Sequence, residues 1–275
     1  MMTLHSASLP EYEVYALRYA TVARRRNQNF MQADPHDGPM PMDYFVWVIR
    51  GQGRCCLVDT GFNRQAAEHR QREFLRCPIA GLAALDISPG QVSDVILTHL
   101  HYDHAGNVDL LPNARIHLQE AELQYAVSRH MQFQLLRHAY AVDDVTHIVE
   151  GLYGDRVVFY MGDAVYAPGI ELLHVGGHTR GLQAVRVHTA RGWVVLASDA
   201  SHYYDNVCNE SPFPIVHDVG DMLAGYRRLL GLCDSPDHFV PGHDPVVMQR
   251  YPAHGDPANG IVALHAPPRG LNTEL

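Results

Sequence analysis

Thr98-His99-Leu100-His101-Tyr102-Asp103-His104-Ala105-Gly106 concentrates more metal-binding chemistry in nine residues than any other stretch of this 275-residue chain. It follows the apolar run Val95–Thr98, so it stands where a strand passes into a loop. In extended backbone alternate side chains share a face, which predicts His99, His101 and Asp103 on one side and a turn that returns His104 to them. Imidazole nitrogens and a carboxylate suit zinc or another first-row divalent ion. Four such ligands within six residues exceed what one tetrahedral ion that keeps a water can use, and the spacing points to two ions side by side. With 19 His and 20 Asp in the chain, His-x-His-x-Asp-His arises by chance in about one such chain in 150. A solvated histidine-rich loop is the weaker explanation.

A two-metal site needs further donors, and three occur at comparable places. His178 lies in Val175-Gly176-Gly177-His178-Thr179, a strand followed by a glycine turn. Asp199 follows the apolar run Trp193–Ala197, and His243 closes Val240-Pro241-Gly242-His243. Each sits at the end of an apolar strand, where a sheet edge presents side chains to a common cleft. Taken singly each has another explanation, such as a helix cap for Asp199 or a surface turn for His243.

Around these residues the chain reads as strands over Tyr12–Val22, Tyr44–Arg50, Cys55–Val58, Val95–Thr98, Val157–Met161, Glu171–Val175, Gln183–His188, Trp193–Ala197 and His238–Val240. Helices are predicted over Gln65–Arg76, Gln119–His138 and Val219–Leu232, the second from Leu123, Val127, Met131 and Leu135 recurring every fourth residue. The Pro-containing tail after Tyr251 reads as irregular. This order predicts two stacked sheets covered by helices rather than a uniform βαβ array, and without a flexible linker residues 1–275 read as a single domain. Composition narrows the function. The net charge of -9 gives no reason to seek a phosphate backbone, and no apolar run approaches the ~20 residues of a membrane span. Five cysteines without paired spacing, and an N-terminal region carrying Glu11, Glu13 and Arg18, predict a cytoplasmic protein with reduced thiols. There is no Gly-x-Ser-x-Gly elbow and no phosphate-binding glycine loop.

His99-Leu100-His101-Tyr102-Asp103-His104, then His178, Asp199 and His243 in that order, with Leu57-Val58-Asp59-Thr60-Gly61 before them, resembles the metallo-β-lactamase superfamily over about residues 40–245. The resemblance implies an α/β fold, the αββα sandwich of two mixed sheets flanked by helices, with a two-metal cleft at one sheet edge. It implies that His99, His101 and His178 hold one ion, that Asp103, His104 and His243 hold the other, and that Asp199 bridges them, with zinc the foremost metal. Asp59 would orient a ligating imidazole, although a turn aspartate capping Gly61 explains it equally well.

Within the superfamily the closest resemblance is to the quorum-quenching N-acyl homoserine lactonases, in His-Leu-His-Tyr-Asp-His-Ala-Gly, in Asp199-Ala200-Ser201 and in a helical insert near 119–150. That implies opening of a lactone ring by a hydroxide between the two metals, with Asp103 passing a proton to the leaving alkoxide. Those lactonases usually place a tyrosine three residues after the bridging aspartate. Here that position is His202, followed by Tyr203 and Tyr204, so His202 or Tyr203 is the expected donor to the carbonyl oxygen. The loop Arg24–Met42 is a candidate substrate wall through Phe30, Met31, Met40 and Met42, with core anchoring as the other explanation. Tyr102 is expected at the cleft mouth. A thioesterase of the glyoxalase II kind or a β-lactam hydrolase is the alternative on the same fold, the former disfavoured because the chain's end offers only Arg250 and Arg269. The implied partner is a small lactone or ester, with no nucleic acid and no membrane; a homodimer is one option left open. His117, His130, His138, His147, His174, His188, His217 and His238 read as structural.

Overall fold

A computed structural model describes residues 9–32 and 35–270. Its strands are β1 (Glu13–Val22), β2 (Met42–Gly51), β3 (Arg54–Val58), β4 (Glu73–Phe74), β5 (Asp94–Ile96), β6 (Arg115–Gln119), β7 (Val157–Tyr160), β8 (Ala164–Ala167), β9 (Ile170–His174), β10 (Gln183–Thr189), β11 (Gly192–Ser198), β12 (Phe239–Pro241) and β13 (Ile261–Ala263). They form two sheets. The larger runs β13-β1-β2-β3-β5-β6-β7, with β4 on β1, and the smaller runs β12-β11-β10-β9-β8. Both are mixed: β3, β5, β6 and β7 pair in parallel, as do β11 and β12, while the remaining pairs are antiparallel. With helices on the outer faces, this is the expected sandwich.

Strict alternation along the central strands explains the layering. On β2, Phe45, Trp47 and Ile49 enter the core between the sheets, while Tyr44, Val46 and Val48 enter the core under the helices. On β1, Val14 and Ala16 face inward and Tyr15, Leu17 and Tyr19 outward. A strand buried on both faces has no polar alternation to show, hence its near-continuous apolar run. The smaller sheet is covered by the helix Val219–Gly231, which lays Met222, Tyr226 and Leu229 on it.

This topology positions the site. Parallel β3 and β5 end together, and so do parallel β11 and β12. Asp59, His99, Asp199 and His243 all lie just beyond the C-terminal ends of these four strands, and the facing sheets bring the ends to one edge.

Several local expectations fail for identifiable reasons. The helix predicted over Gln65–Arg76 spans only Arg64–Arg70; Gln71 is left-handed at φ 57 and Glu73–Phe74 then pairs with β1. The segment Gln119–His138 is not one helix. Gln119 ends β6, a helix covers Glu120–Ala126, and Ser128 is extended and accepts a hydrogen bond from the His130 N–H to start a new turn. The four-residue apolar spacing was misleading there, because Val127 and Leu135 are 61% and 79% exposed. A helix over Val142–Tyr153 completes this insert. The tail is not merely irregular either: Ile261–Ala263 pairs with β1 and is buried. All five cysteines are free thiols. Among the described residues no helix is long and apolar enough to cross a membrane.

Candidate metal centre

β5 stops at Ile96, two residues sooner than expected. His101 is extended (φ -67, ψ 154) and caps a four-residue helix, Tyr102–Ala105, that carries Asp103 and His104. The turn is held by the segment after β3: His104 O accepts from the Thr60 N–H at 2.7 Å, and the Gly106 N–H donates to Gly61 O at 2.7 Å. A Cβ on Gly106 would lie 2.8 Å from Gly61 O, so only glycine permits this approach. Asp59 (φ 60) and Ser198 (φ 47) hold left-handed backbone at the ends of β3 and β11. For non-glycine residues this conformation costs energy and is kept where surrounding contacts enforce it. Here it turns Asp59, and Asp199 beside Ser198, toward the cleft.

All seven expected donors converge. His99, His101 and His178 form one group with ligand atoms within 4.8 Å of one another; His99, His104 and Asp199 form a second, and Asp103, His104 and His243 a third. Asp199 is central. Its Oδ1 lies 3.2 Å from His104 Nε2 and 3.0 Å from His243 Nε2, and its Oδ2 lies 3.3 Å from His178 Nε2 and 3.9 Å from His99 Nε2. All are buried except Asp103, which is 12% exposed at its side chain, with Oδ2 3.9 Å from His104 Nε2 and 4.0 Å from His243 Nε2.

The rear nitrogens are spoken for. His104 Nδ1 meets Asp59 Oδ2 at 2.7 Å, His178 Nδ1 meets Ile215 O at 2.6 Å, and His243 Nδ1 meets Asp43 O at 2.8 Å. His99 Nδ1 meets Thr98 Oγ1 at 3.1 Å. Each therefore presents Nε2 to the cleft, an arrangement by which oxygen acceptors fix a ligating imidazole. His101 is reversed, its Nδ1 lying 2.9 Å from His178 Nε2. Asp59 also accepts from the Thr98 N–H at 2.7 Å and the Thr98 hydroxyl at 2.8 Å, which ties the metal-motif strand to β3.

The donor set fits divalent cations. His99 Nε2, His104 Nε2 and Asp199 Oδ1 are buried without a hydrogen-bond partner although oppositely polarised atoms stand close by. Buried polar atoms left this way are costly; convergence on a cation resolves them. Electrostatics agrees. Burial opposes the charged form of His104, but Asp199, Asp59 and Asp103 outweigh it and hold its pKa well above the usual range. Burial likewise opposes charge on His243, and Asp199 and Asp103 raise its pKa nonetheless. Burial would raise Asp199, yet His243, His104 and His202 hold it well below the carboxylate range. His99 and His101, buried and crowded by imidazoles, are driven well below theirs, which keeps them neutral.

His202 enters the same pocket. Its Nε2 is 2.8 Å from Asp199 Oδ2, its Nδ1 is buried without a partner, and its ring stacks on Phe213 at 3.4 Å and 7°. Tyr203 does not line the cleft: it is buried under the helices and donates its hydroxyl to Pro41 O at 3.2 Å. Tyr102 does line it, with its ring between Phe62 and the Arg70 guanidinium. Of the proposed wall, Met42 lines the cleft as the first residue of β2, Phe30 and Met40 pack inward, and Met31 is 48% exposed. Ala33 and Asp34 of that loop lie outside the described residues. The cleft itself is small, about 70 Å³.

Sequence reasoning missed several participants. Glu122 is fully buried and accepts from the Leu100 N–H, the Gly181 N–H and the Tyr140 hydroxyl at 3.0, 3.0 and 3.1 Å, pinning the His99–His101 loop to the turn after His178. Arg24, Arg70, Arg72 and His138 line the cleft. Arg70 and Arg72 lie at and just beyond the end of a helix whose charge reads as ordinary surface, and His138 had been placed among the structural histidines.

Sandwich and donor cluster together define a metal-binding αββα protein. The chain belongs to the metallo-beta-lactamase superfamily, whose pattern matches residues 40–249. It is 33% identical over 166 residues to an N-acyl homoserine lactonase of a Bacillus species, 59% of this chain and 60% of the relative, so the chain spans about 60% of the length of that curated relative. Two solved structures share the fold. An N-acyl homoserine lactone hydrolase with the product N-hexanoyl-L-homoserine at its catalytic metal centre superposes with a TM-score of 0.73 at 21% identity, over 88% of this chain and 96% of that one. AidC, a dizinc quorum-quenching lactonase, superposes with a TM-score of 0.70 at 17% identity, over 86% and 89%.

Proposed function

We propose that this protein is a two-metal hydrolase that opens a lactone ring. The observation that carries the reading is the convergence on Asp199 of buried, partnerless ligand atoms at the head of a small cleft. The 33% identical lactonase supports the choice of bond. His99, His101 and His178 would hold one ion, Asp103, His104 and His243 the second, with Asp199 between them and zinc the leading candidate. Two ions so held supply an acidified water and a polarised ester carbonyl.

The protein's own groups do the rest. Asp103, the one ligand with solvent access, takes the proton from the attacking water and returns it to the ring oxygen as the C–O bond breaks. His202 is the donor to the carbonyl oxygen: its Nε2 stands in the cleft 2.8 Å from Asp199 Oδ2, and its N–H would be free to turn to the substrate if Asp199 were held by metal. Tyr203, committed to Pro41, is out of reach. Tyr44 and Tyr102, which line the cleft and are backed by Phe62, exclude water from one side of the ring.

The test is acid release by metal-loaded and chelator-stripped protein on lactones of varied chain length, with a thioester and a β-lactam alongside. Lactone turnover that disappears on chelation and returns with Zn2+ is expected. Turnover confined to the thioester or the β-lactam would refute the reading.

A further inference from the structure

Arg24, Arg70 and Arg72 crowd the mouth of the cleft, and none reaches a carboxylate within 4 Å among the described residues. Their acceptors are all uncharged. Arg24 donates to Gln28 O at 2.7 Å and contacts Met42 Sδ at 3.5 Å. Arg70 donates to His138 O at 2.9 Å and Tyr140 O at 3.3 Å, and its guanidinium lies 3.7 Å from the Tyr102 ring centre. Arg72 donates to Tyr102 Oη at 3.2 Å and Arg70 O at 2.7 Å. Arg18, Arg26 and Arg50, by contrast, each have a carboxylate oxygen within 3.1 Å; Arg76, Arg156 and Arg191 also donate only to carbonyl or hydroxyl oxygens, but none of those lines the cleft.

The three are not ordinary surface arginines. All are partly buried, and a partly buried cation whose hydrogen-bond acceptors are all uncharged forfeits solvation that those acceptors only partly restore. Arg24, Arg72, His138 and Ile215 also line a second hollow of about 570 Å³, which therefore adjoins the cleft at these residues. Its single acidic lining residue, Glu73, is exposed and pairs with none of the arginines. Arg24 and Arg72 are thus the two cations shared by the hollow and the cleft. In a chain of net charge -9 this is a local positive funnel, and guanidinium forks match the oxygens of carboxylates and phosphates.

We infer that the lactone this cleft takes carries an oxyanionic substituent, a carboxylate or a phosphate, that is seated by Arg24, Arg70 and Arg72. This rests on the lactone reading and narrows it, since an N-acyl homoserine lactone has no anionic group to place there.

Three γ-butyrolactones test it with metal-loaded protein: one neutral and N-acylated, one with a ring carboxylate, one with a phosphomonoester. At least one anionic lactone should be turned over with kcat/KM about ten-fold or more above the neutral one, through a lower KM. That advantage should shrink with added salt, and the preferred substituent identifies the anion. Arg24→Met and Arg72→Met should collapse the anionic-to-neutral ratio toward one, with Arg72→Lys between. Equal or better use of the neutral lactone, unmoved by these changes, overturns the inference. If none of the three is opened the lactone reading fails instead, and a separate readout still decides the arginines. Titration calorimetry with the ring-opened carboxylate and phosphate products should show about ten-fold tighter binding of one of them to the wild type than to the Arg24→Met/Arg72→Met protein. Equal binding overturns the inference independently of turnover.

Discussion

At the floor of the cleft four of the five candidate metal-binding imidazoles are held from behind by an oxygen, and Asp59 contacts both His104 and the Thr98 backbone. At the wall, the insert over residues 120–153 that reaches the cleft with His138 and Ala139, the chain breaks at Val127 and Ser128 between short helices before the helix Val142–Tyr153, and Val127, Leu135 and Val142 face solvent. The floor is over-determined because a ligand misplaced by a fraction of an ångström loses its cation. The wall has only to cover the cleft and discriminate among visitors, and many sequences can do that. Substitutions at the floor should therefore act on metal content and turnover, and those at the wall on stability and substrate choice.

The sharpest break in this contrast would come from Asp199→Ala. Among the described residues Asp199 alone faces His99, His104, His178, His202 and His243 at once, so its loss should reduce turnover to background and lower the metal content below two per chain. Circular dichroism should still report the sheets, because their cores lie elsewhere. Full metal content measured by elemental analysis, with retained turnover, would remove Asp199 from the centre.

His202→Phe separates chemistry from metal retention within the floor. A phenyl ring can keep the stack on Phe213 while removing the N–H. Loss of one donor to a developing oxyanion costs about 10²–10³ in kcat, so kcat should fall by roughly that factor with two metals still bound. Unchanged kcat would leave the carbonyl oxygen without its proposed partner.

What could be read from sequence follows the same division. The ligands sit just beyond apolar strands, and the pattern His99-x-His101-x-Asp103-His104 is local, so both are visible in one dimension. Glu122 is not: its three partners are 22, 59 and 18 residues away, and nothing around it distinguishes it from Glu120, the other acid of its helix. The arginines of the mouth fail for a related reason, since an unpaired cation looks the same in a sequence as a paired one. The helix read over 119–138 fails because apolar spacing of four residues says nothing about whether a core lies beneath it. β13 was hidden among prolines, and only its partner β1 makes it a strand.

Asp59→Asn should have a smaller effect than either floor substitution above. Asparagine tolerates the left-handed backbone at φ 60 and can still accept from the Thr98 N–H. It cannot be a carboxylate to His104. Weakening such a supporting contact lowers metal affinity or activity about 10–100-fold, and competition with a chelator would register it. An affinity unchanged from wild type would mean that the turn around Gly61 and Gly106 aligns His104 without help.

The smallest effect belongs to the wall. Asp144, in the first turn of the helix Val142–Tyr153, is buried, and burial raises its pKa to about 6, reinforced by Asp143 and Asp109 against the pull of His147 and Arg70. Because the folded state prefers the protonated acid, ionisation costs stability: the penalty is absent below the unfolded value near 3.8, grows between there and about pH 6, and is constant above. Asp144→Asn removes the charge, though it also gives up a negative side chain that favours a helix N-terminus, so only part of the penalty is recovered. The net gain should be about 1 kcal/mol at pH 8, or about 2–4 °C in Tm, and should vanish near pH 4. Metal content and lactone kinetics should not move. A gain that persisted undiminished at pH 4 would trace to packing rather than charge, whereas a loss of bound metal would mean that the wall is coupled to the floor after all.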